Sequence, residues 1–223
     1  MDAPELLDMG EGTLDDVRAN FADLWRINRY LGGVKAVTSH LYPRLRQHQK
    51  PVTLVDIGSG SADIATTIKR WADHHAIPLK LLGLDLSARH LGIAQEQTSS
   101  LKLIQADALH LPFSNHKVDY FTSCLFLHHF SPEQVVKLLA RTYELAQHGI
   151  IMSDVVRGYL PQIAFKLGQP IFARNFLTQH DGMVSIRRAY TPSELRQLAQ
   201  AAGVRSARVY QHFPWRMTLV AYK

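Results

Sequence analysis

Residues 55–63 read VDIGSGSAD, that is Val55-Asp56-Ile57-Gly58-Ser59-Gly60-Ser61-Ala62-Asp63. They follow the apolar run PVTL (51–54) and lead into IATTIKRWADHH (64–75), where Ile64, Ile68, Trp71 and His75 recur at helical spacing. A strand, a glycine-containing turn and a helix form the repeating unit of an open α/β sheet. Glycines at that turn let the backbone come close to a ligand. What the turn approaches, and why Asp56 stands before it, decides how the chain is read.

The flanking sequence continues the alternation. PVTLVDI, LKLLGLDL, SLKLIQAD, KVDYFTSCLFL and GIIMSDVV are short apolar segments without clean alternation, as expected for strands buried on both faces of a parallel sheet. TLDDVRANFADLWRINRYL predicts a helix with Thr13 as N-cap, broken at Gly32-Gly33, and a second helix to about Gln47. Ser131, Pro132 and Gln134 predict a capping box, and Thr191-Pro192-Ser193-Glu194 starts another helix that ends at Gly203. Residues 157–190 break the rhythm with Pro, Gly and His-Asp and read as an inserted helical element. VRSARVYQHF and RMTLVAYK supply the last two of seven strands. The organisation expected is N-terminal helices over 1–50, a ligand-binding half over 51–156, the insert over 157–190 and a completing segment over 191–223.

Composition narrows the classes. Of 223 residues, 46% are hydrophobic and 20% charged, the pattern of an ordinary globular chain. The single cysteine, Cys124, excludes an internal disulfide framework and suits a reducing cytoplasm. MDAPELLDMGEGTLDD lacks the apolar centre of a secretory signal, and no run is long enough to span a bilayer, so no membrane partner is expected. The net charge of +6 comes from scattered basic residues, which read as a solvated surface rather than a nucleic-acid groove.

Two familiar ligands fail at the glycine turn. A P-loop needs Lys-Ser/Thr after its glycines, and a dinucleotide fingerprint needs a third glycine where Asp63 stands. Asp56 and Asp63 would also repel a pyrophosphate. An acid beside the turn suits a cation, such as the sulfonium and ammonium of S-adenosylmethionine. A tight strand–helix turn without a ligand is the plain alternative.

The stretch resembles the first motif of class I S-adenosylmethionine-dependent methyltransferases, (V/L)-D-x-G-x-G-x-G, with Ala62 in the third glycine's place. LLGLDLS, QADALHLPF and VDYFTSCLFLHHFSPEQ resemble that family's next three motifs in order across residues 51–155. LWRINRYLGG and HDGMVSIRRAYTPSEL look like a bacterial group of small methyltransferases of polyketide- or quinone-type pathways. The resemblance implies a seven-stranded, mostly parallel Rossmann-like sheet in the order 3-2-1-4-5-7-6, with helices on both faces and a helical lid. It implies S-adenosylmethionine as cofactor. Asp56, Gly58, Ser59 and Gly60 are its expected contacts at the first turn, Asp85 with Leu86 at the ribose, Asp107 with Ala108 at the adenine, and Ser123 on the fourth strand.

Methyl transfer to a phenol is helped by a base, because a hydroxyl of pKa about 10 is about one part in a thousand ionised at pH 7. His128 and His129, at the end of the fourth strand, are the first candidates, with His129 expected to face the cleft and His180 beside Asp181 next. Each could instead satisfy a loop carbonyl or a polar turn. Trp25, Tyr30, Phe165, Phe172 and Asp181 are the expected acceptor contacts, with core packing the alternative for the aromatic residues. His74 and His75 have no cysteine partner or His-x-x-x-His spacing, so no metal is expected. The leading expectation is O-methylation of a small phenol or enol. C-methylation of an aromatic ring, an RNA methyltransferase and a non-catalytic S-adenosylmethionine-binding protein are the alternatives.

Overall fold

The computed structural model describes residues 4–115 and 117–223. Seven strands form one sheet in the order β3-β2-β1-β4-β5-β7-β6. They are β1 (Val52–Ile57), β2 (Leu79–Asp85), β3 (Lys102–Gln105), β4 (Val118–Cys124), β5 (Ala146–Val155), β6 (Arg208–His212) and β7 (Arg216–Tyr222). β1 to β5 run parallel, and β7 is antiparallel to both β5 and β6. The expected architecture and strand order are both present.

β1 sits between β2 and β4 and feeds both layers. Leu54 packs with Leu41, Ile64 and Ile68 on one face. Val55 and Ile57 pack with Phe121, Leu138 and Leu195 on the other. Period-2 side-chain alternation inside an unbroken apolar run is what a doubly covered strand requires. The helices on the first face include α2 (Gly33–Leu45) and α3 (Asp63–His74). α5 (Pro132–Leu145) and α8 (Pro192–Ala201) cover the second. Truncating fully buried Leu54 to Ala would cost about 2–5 kcal/mol through lost transfer energy and a residual cavity.

The predicted caps form. Thr13, Ser131 and Thr191 each close a capping box, with Asp16, Gln134 and Glu194 respectively. α2 ends two residues before the expected Gln47, and β5 begins three residues before Gly149. Leu14 is exposed in the first turn of α1 (Leu14–Tyr30).

The insert is two helices, α6 (Tyr159–Phe172) and α7 (Phe176–Arg188). A third small core joins α1, α4 (Ala88–Gln97) and α7 through Val17, Phe21, Ile93 and Leu177. α1 and α7 therefore stand together over the carboxyl ends of the parallel strands, where open α/β sheets bind ligands. No helix of the described residues is long and apolar enough to cross a membrane.

Candidate functional site

The glycine turn is built by close approach. Gly58 and Gly60 have φ of +66° and +52°, in the left-handed region open to glycine. A Cβ on Gly58 would lie 2.2 Å from the Phe126 ring, and one on Gly60 would lie 3.0 Å from Phe21. Ser59 N–H donates to the Leu84 carbonyl at 3.0 Å, and Gly60 N–H donates to Asp85 Oδ2 at 2.9 Å. The turn after β1 is thus stitched to the end of β2. Ala62, in the third glycine's place, is also left-handed at φ 60°, a strain of about 1–2 kcal/mol for a residue with a Cβ.

A cleft of about 500 Å³ opens above this turn. Asp56, Gly58, Ser59, Gly60, Asp85 and Leu86 line it, and Asp107 and Ala108 line it from the turn after β3. The Ser59 hydroxyl is buried without a partner among the described residues, so a polar ligand atom would complete it. Asp85 also accepts from Ser87 N–H at 2.9 Å and lies 3.2 Å from His90 Nδ1. Burial alone would raise the Asp85 carboxyl. The His90 ring and the two backbone N–H groups outweigh it and hold the group below the usual carboxylate range. Asp56 is different. Burial and the neighbouring Asp85 charge push it up to about 7 against the hydrogen bond from Thr122 Oγ1 at 2.8 Å. The β1–β4 register places Thr122 directly beside Asp56.

At the end of β4 the backbone turns sharply through Leu125, whose φ of 56° is rare for a bulky side chain. That turn brings Phe126 onto Gly58 and delivers His128 and His129 to the cleft. His128 is buried, and its Nδ1 donates to Asp154 Oδ1 at 2.8 Å. Its Nε2 lies 3.5 Å from Glu5 Oε1. Burial disfavours the imidazolium, but Asp154 and Glu5 outweigh it and raise the group to about 10, so His128 is cationic at neutral pH. His129 Nδ1 lies 2.9 Å from Asp8 Oδ2, and its Nε2 is 4.0 Å from Glu5 Oε2. Glu5 is buried, which raises its carboxyl, yet His128, His129 and a hydrogen bond from Ser185 Oγ at 2.7 Å bring it below its ordinary value.

Comparison with known proteins names the activity. Residues 54–149 match the family model described as a methyltransferase domain. The chain carries an S-adenosylmethionine-dependent methyltransferase domain. It is 25% identical over 177 residues to a demethylmenaquinone methyltransferase of Staphylococcus carnosus, covering 73% of this chain and 72% of that one. A demethylmenaquinone methyltransferase of Thermotoga maritima is 33% identical over 86 residues, 39% of this chain and 36% of its own. Among solved structures, the magnesium protoporphyrin IX methyltransferase of Synechocystis with bound SAH aligns with TM-score 0.59 at 15% identity, covering 87% of this chain and 83% of its own. Human N-acetylserotonin methyltransferase in complex with SAM aligns with TM-score 0.62 at 16% identity, covering 94% of this chain and 56% of its own. These two show the fold.

The methyltransferase does not gather every expected residue. Trp25 lines the cleft. Tyr30, Phe165, Phe172, Ser123, His180 and Asp181 do not. Tyr30 is exposed at the end of α1. The Phe165 ring fills the space a side chain at Gly182 would need, so it packs α6 on α7. Phe172 lies at the end of α6, where its carbonyl accepts from Arg26. Ser123 is buried in β4, and its hydroxyl faces Met152 Sδ at 3.1 Å. Asp181 accepts from the N–H groups of Leu6 and Leu7 at 2.8 and 3.0 Å, and His180 Nδ1 lies 2.8 Å from it. This pair holds the N-terminal segment instead of facing an acceptor.

The segment it holds carries what sequence reading missed. Glu5 and Asp8 looked like members of an acidic terminus, because contacts more than a hundred residues distant leave no local pattern. Glu5, His128 and His129 also bring ligand-type atoms within 4.8 Å of one another, the arrangement that could hold a metal among the described residues. A metal there would have to displace the proton that Asp154 and Glu5 hold on His128.

Proposed function

We propose that the methyltransferase methylates an oxygen of a small phenol or enol of quinone or polyketide type, with His129 as the base. The observation that carries this reading is the convergence of His129, His128 and Glu5 on one cleft wall. His129 is tethered through Nδ1 to Asp8, which leaves Nε2 to accept an acceptor proton. His128 carries its proton already, so its role is electrostatic. A fixed imidazolium near a developing phenolate lowers the cost of that charge. Sequence reading allowed either histidine as base; the geometry favours His129.

Bound S-adenosylmethionine supplies an electrophilic methyl group on a sulfonium. We assign its ribose hydroxyls to Asp85, whose charged carboxylate suits a diol, and its adenine border to Asp107 and Ala108. Asp56 and the unpartnered Ser59 hydroxyl complete the polar wall. Holding the acceptor in line is itself worth up to about 7–11 kcal/mol. A concave cleft of this size suits a small acceptor better than a nucleic acid. The names of the Staphylococcus carnosus and Thermotoga maritima relatives support a quinone-type acceptor. Methylation at a ring carbon is the second reading, since deprotonating a phenol also raises electron density at its ortho carbons.

The test is incubation with methyl-labelled S-adenosylmethionine and a panel of phenols, quinols and amines, with products identified by NMR. Label on phenolic oxygen supports the proposal, and label on an ortho carbon supports the second reading. Transfer to amines alone would overturn both.

A further inference from the structure

α6 presents its apolar side to solvent. Its exposed positions are Tyr159, Leu160, Ile163, Lys166, Leu167, Pro170 and Ile171, which fall on one helical face. Tyr159 and Leu167 are 87% and 77% exposed. The opposite side already has its partner, through buried Pro161 and through Phe165 packed at Gly182 of α7. The outward stripe is therefore surplus to the core. Isolated exposed apolar residues are ordinary, whereas a stripe along three helical turns marks a docking face.

The stripe continues onto neighbouring elements. Val156 N–H donates to the Trp215 carbonyl at 3.0 Å, which ties the β6–β7 turn to the chain just before α6. The same turn abuts the end of α1, where a Cβ on Gly32 would lie 2.6 Å from the Phe213 carbonyl. Phe213 is 91% exposed, and Trp215 and Tyr30 are exposed as well. Aromatic side chains thus flank the aliphatic stripe. Exposed Arg29, Lys166 and Arg174 lie on the same elements or follow them directly, on a chain of net charge +6.

We propose that α6 and the β6–β7 turn dock this methyltransferase on the surface of an anionic lipid bilayer. Aliphatic residues on a convex helix, aromatic residues beside them and cations at the margin are the composition of an interfacial element. Cations at the margin complement anionic headgroups, whereas a second copy of this chain would bring the same positive charge to the contact. The sequence-based expectation of no membrane partner rested on the lack of a spanning run, which an interfacial helix does not need. α6 packs on α7 and α1, whose Ser185 and Trp25 line the cleft, so docking would set the covered cleft near the bilayer.

The test is flotation of the full chain with vesicles of phosphatidylcholine plus phosphatidylglycerol, and with phosphatidylcholine alone. The wild type is expected to float with the mixed vesicles and less with the neutral ones. I163E/L167E should lower the vesicle partition coefficient by about tenfold or more, the effect of removing one or two buried aliphatic side chains. Calorimetric S-adenosylmethionine binding should be unchanged, which certifies the fold of the variant. Independently of any variant, amide exchange over 159–172 in the wild type should slow when vesicles are added. A wild type that stays unbound to both vesicles, or a double variant that floats equally, overturns the proposal. A dimer in solution that the double variant dissociates, with no vesicle binding, assigns the stripe to a second copy instead. The vesicles hold no methyl acceptor, so failure here leaves the methyl-transfer reading standing.

Discussion

His128 and Asp154 meet twice: the His128 backbone N–H donates to Oδ2 at 3.1 Å, and Nδ1 donates to Oδ1 at 2.8 Å. Both side chains are essentially buried, so the pair joins the turn after β4 to the end of β5 inside the protein. A buried pair contributes little net stability when intact, but removing one partner leaves an uncompensated charge. Asp154→Asn should therefore destabilise the chain by about 3–5 kcal/mol in urea unfolding. The folded His128 group, at about 10, lies above its unfolded value of 6.5. Its contribution is fully present below pH 6.5 and is lost as pH rises through about 10. His128→Asn should flatten the stability profile across that window; an unchanged profile would show that the pair is not charged.

Asp56 gives the same sign in a lower pH window. Burial holds its folded carboxyl at about 7, so the folded state keeps a proton that the unfolded chain has released. Stability of the free protein should fall as pH rises from the ordinary value of 3.8 to about 7 and level off beyond. A cationic ligand favours the ionised carboxylate, so S-adenosylmethionine affinity should rise through the same upper limit. Asp56→Asn should remove that rise in calorimetric titrations between pH 6 and pH 8, roughly the span over which a group near 7 changes charge.

Asp85 is already engaged, holding Gly60 and Ser87 through their N–H groups and lying beside His90. Asp85→Ala should weaken S-adenosylmethionine binding by about 1.5–3 kcal/mol for a lost charge-assisted contact. It also releases the Gly60 turn, so Asp85→Asn, which keeps acceptor capacity, should recover part of the loss. Equal affinity in wild type and Asp85→Ala would remove the ribose assignment.

Legibility in the sequence followed the range of the interaction. The helix starts at Thr13, Ser131 and Thr191 are local relationships and each was readable, with the full capping box read only at Ser131. The strand order came through motif resemblance, because the glycine turn and Asp85 occupy fixed places at strand ends. The acceptor side was less readable. Phe165 and Phe172 have the composition of pocket residues, yet apolarity does not say which side of α6 packs inward. The structure turns Phe165 to α7 and leaves Ile163 and Leu167 exposed. Glu5 reaches His128 across more than a hundred residues of chain, and no periodicity records such a meeting.

The N-terminal segment places Glu5 beside His129 through Asp181, which lies outside the cleft, and through Ser185 on its wall. Asp181 accepts from Leu6 and Leu7, while Ser185 donates to Glu5. Asp181 is thus a positioning residue for the site. His129→Ala should lower kcat by about 10²–10⁴-fold, the usual contribution of a general base. Asp181→Ala should lower kcat by a smaller factor and leave S-adenosylmethionine affinity intact, because the glycine turn and Asp85 do not depend on it. Asp181→Asn keeps one acceptor oxygen and should recover part of the rate, which a purely packing role would not explain. If the segment acts through His129, the Asp181→Ala effect should largely vanish in a His129→Ala background, since residues of one network are not additive. Full additivity in that double-mutant cycle would separate the segment from the base and leave Asp181 with stability alone.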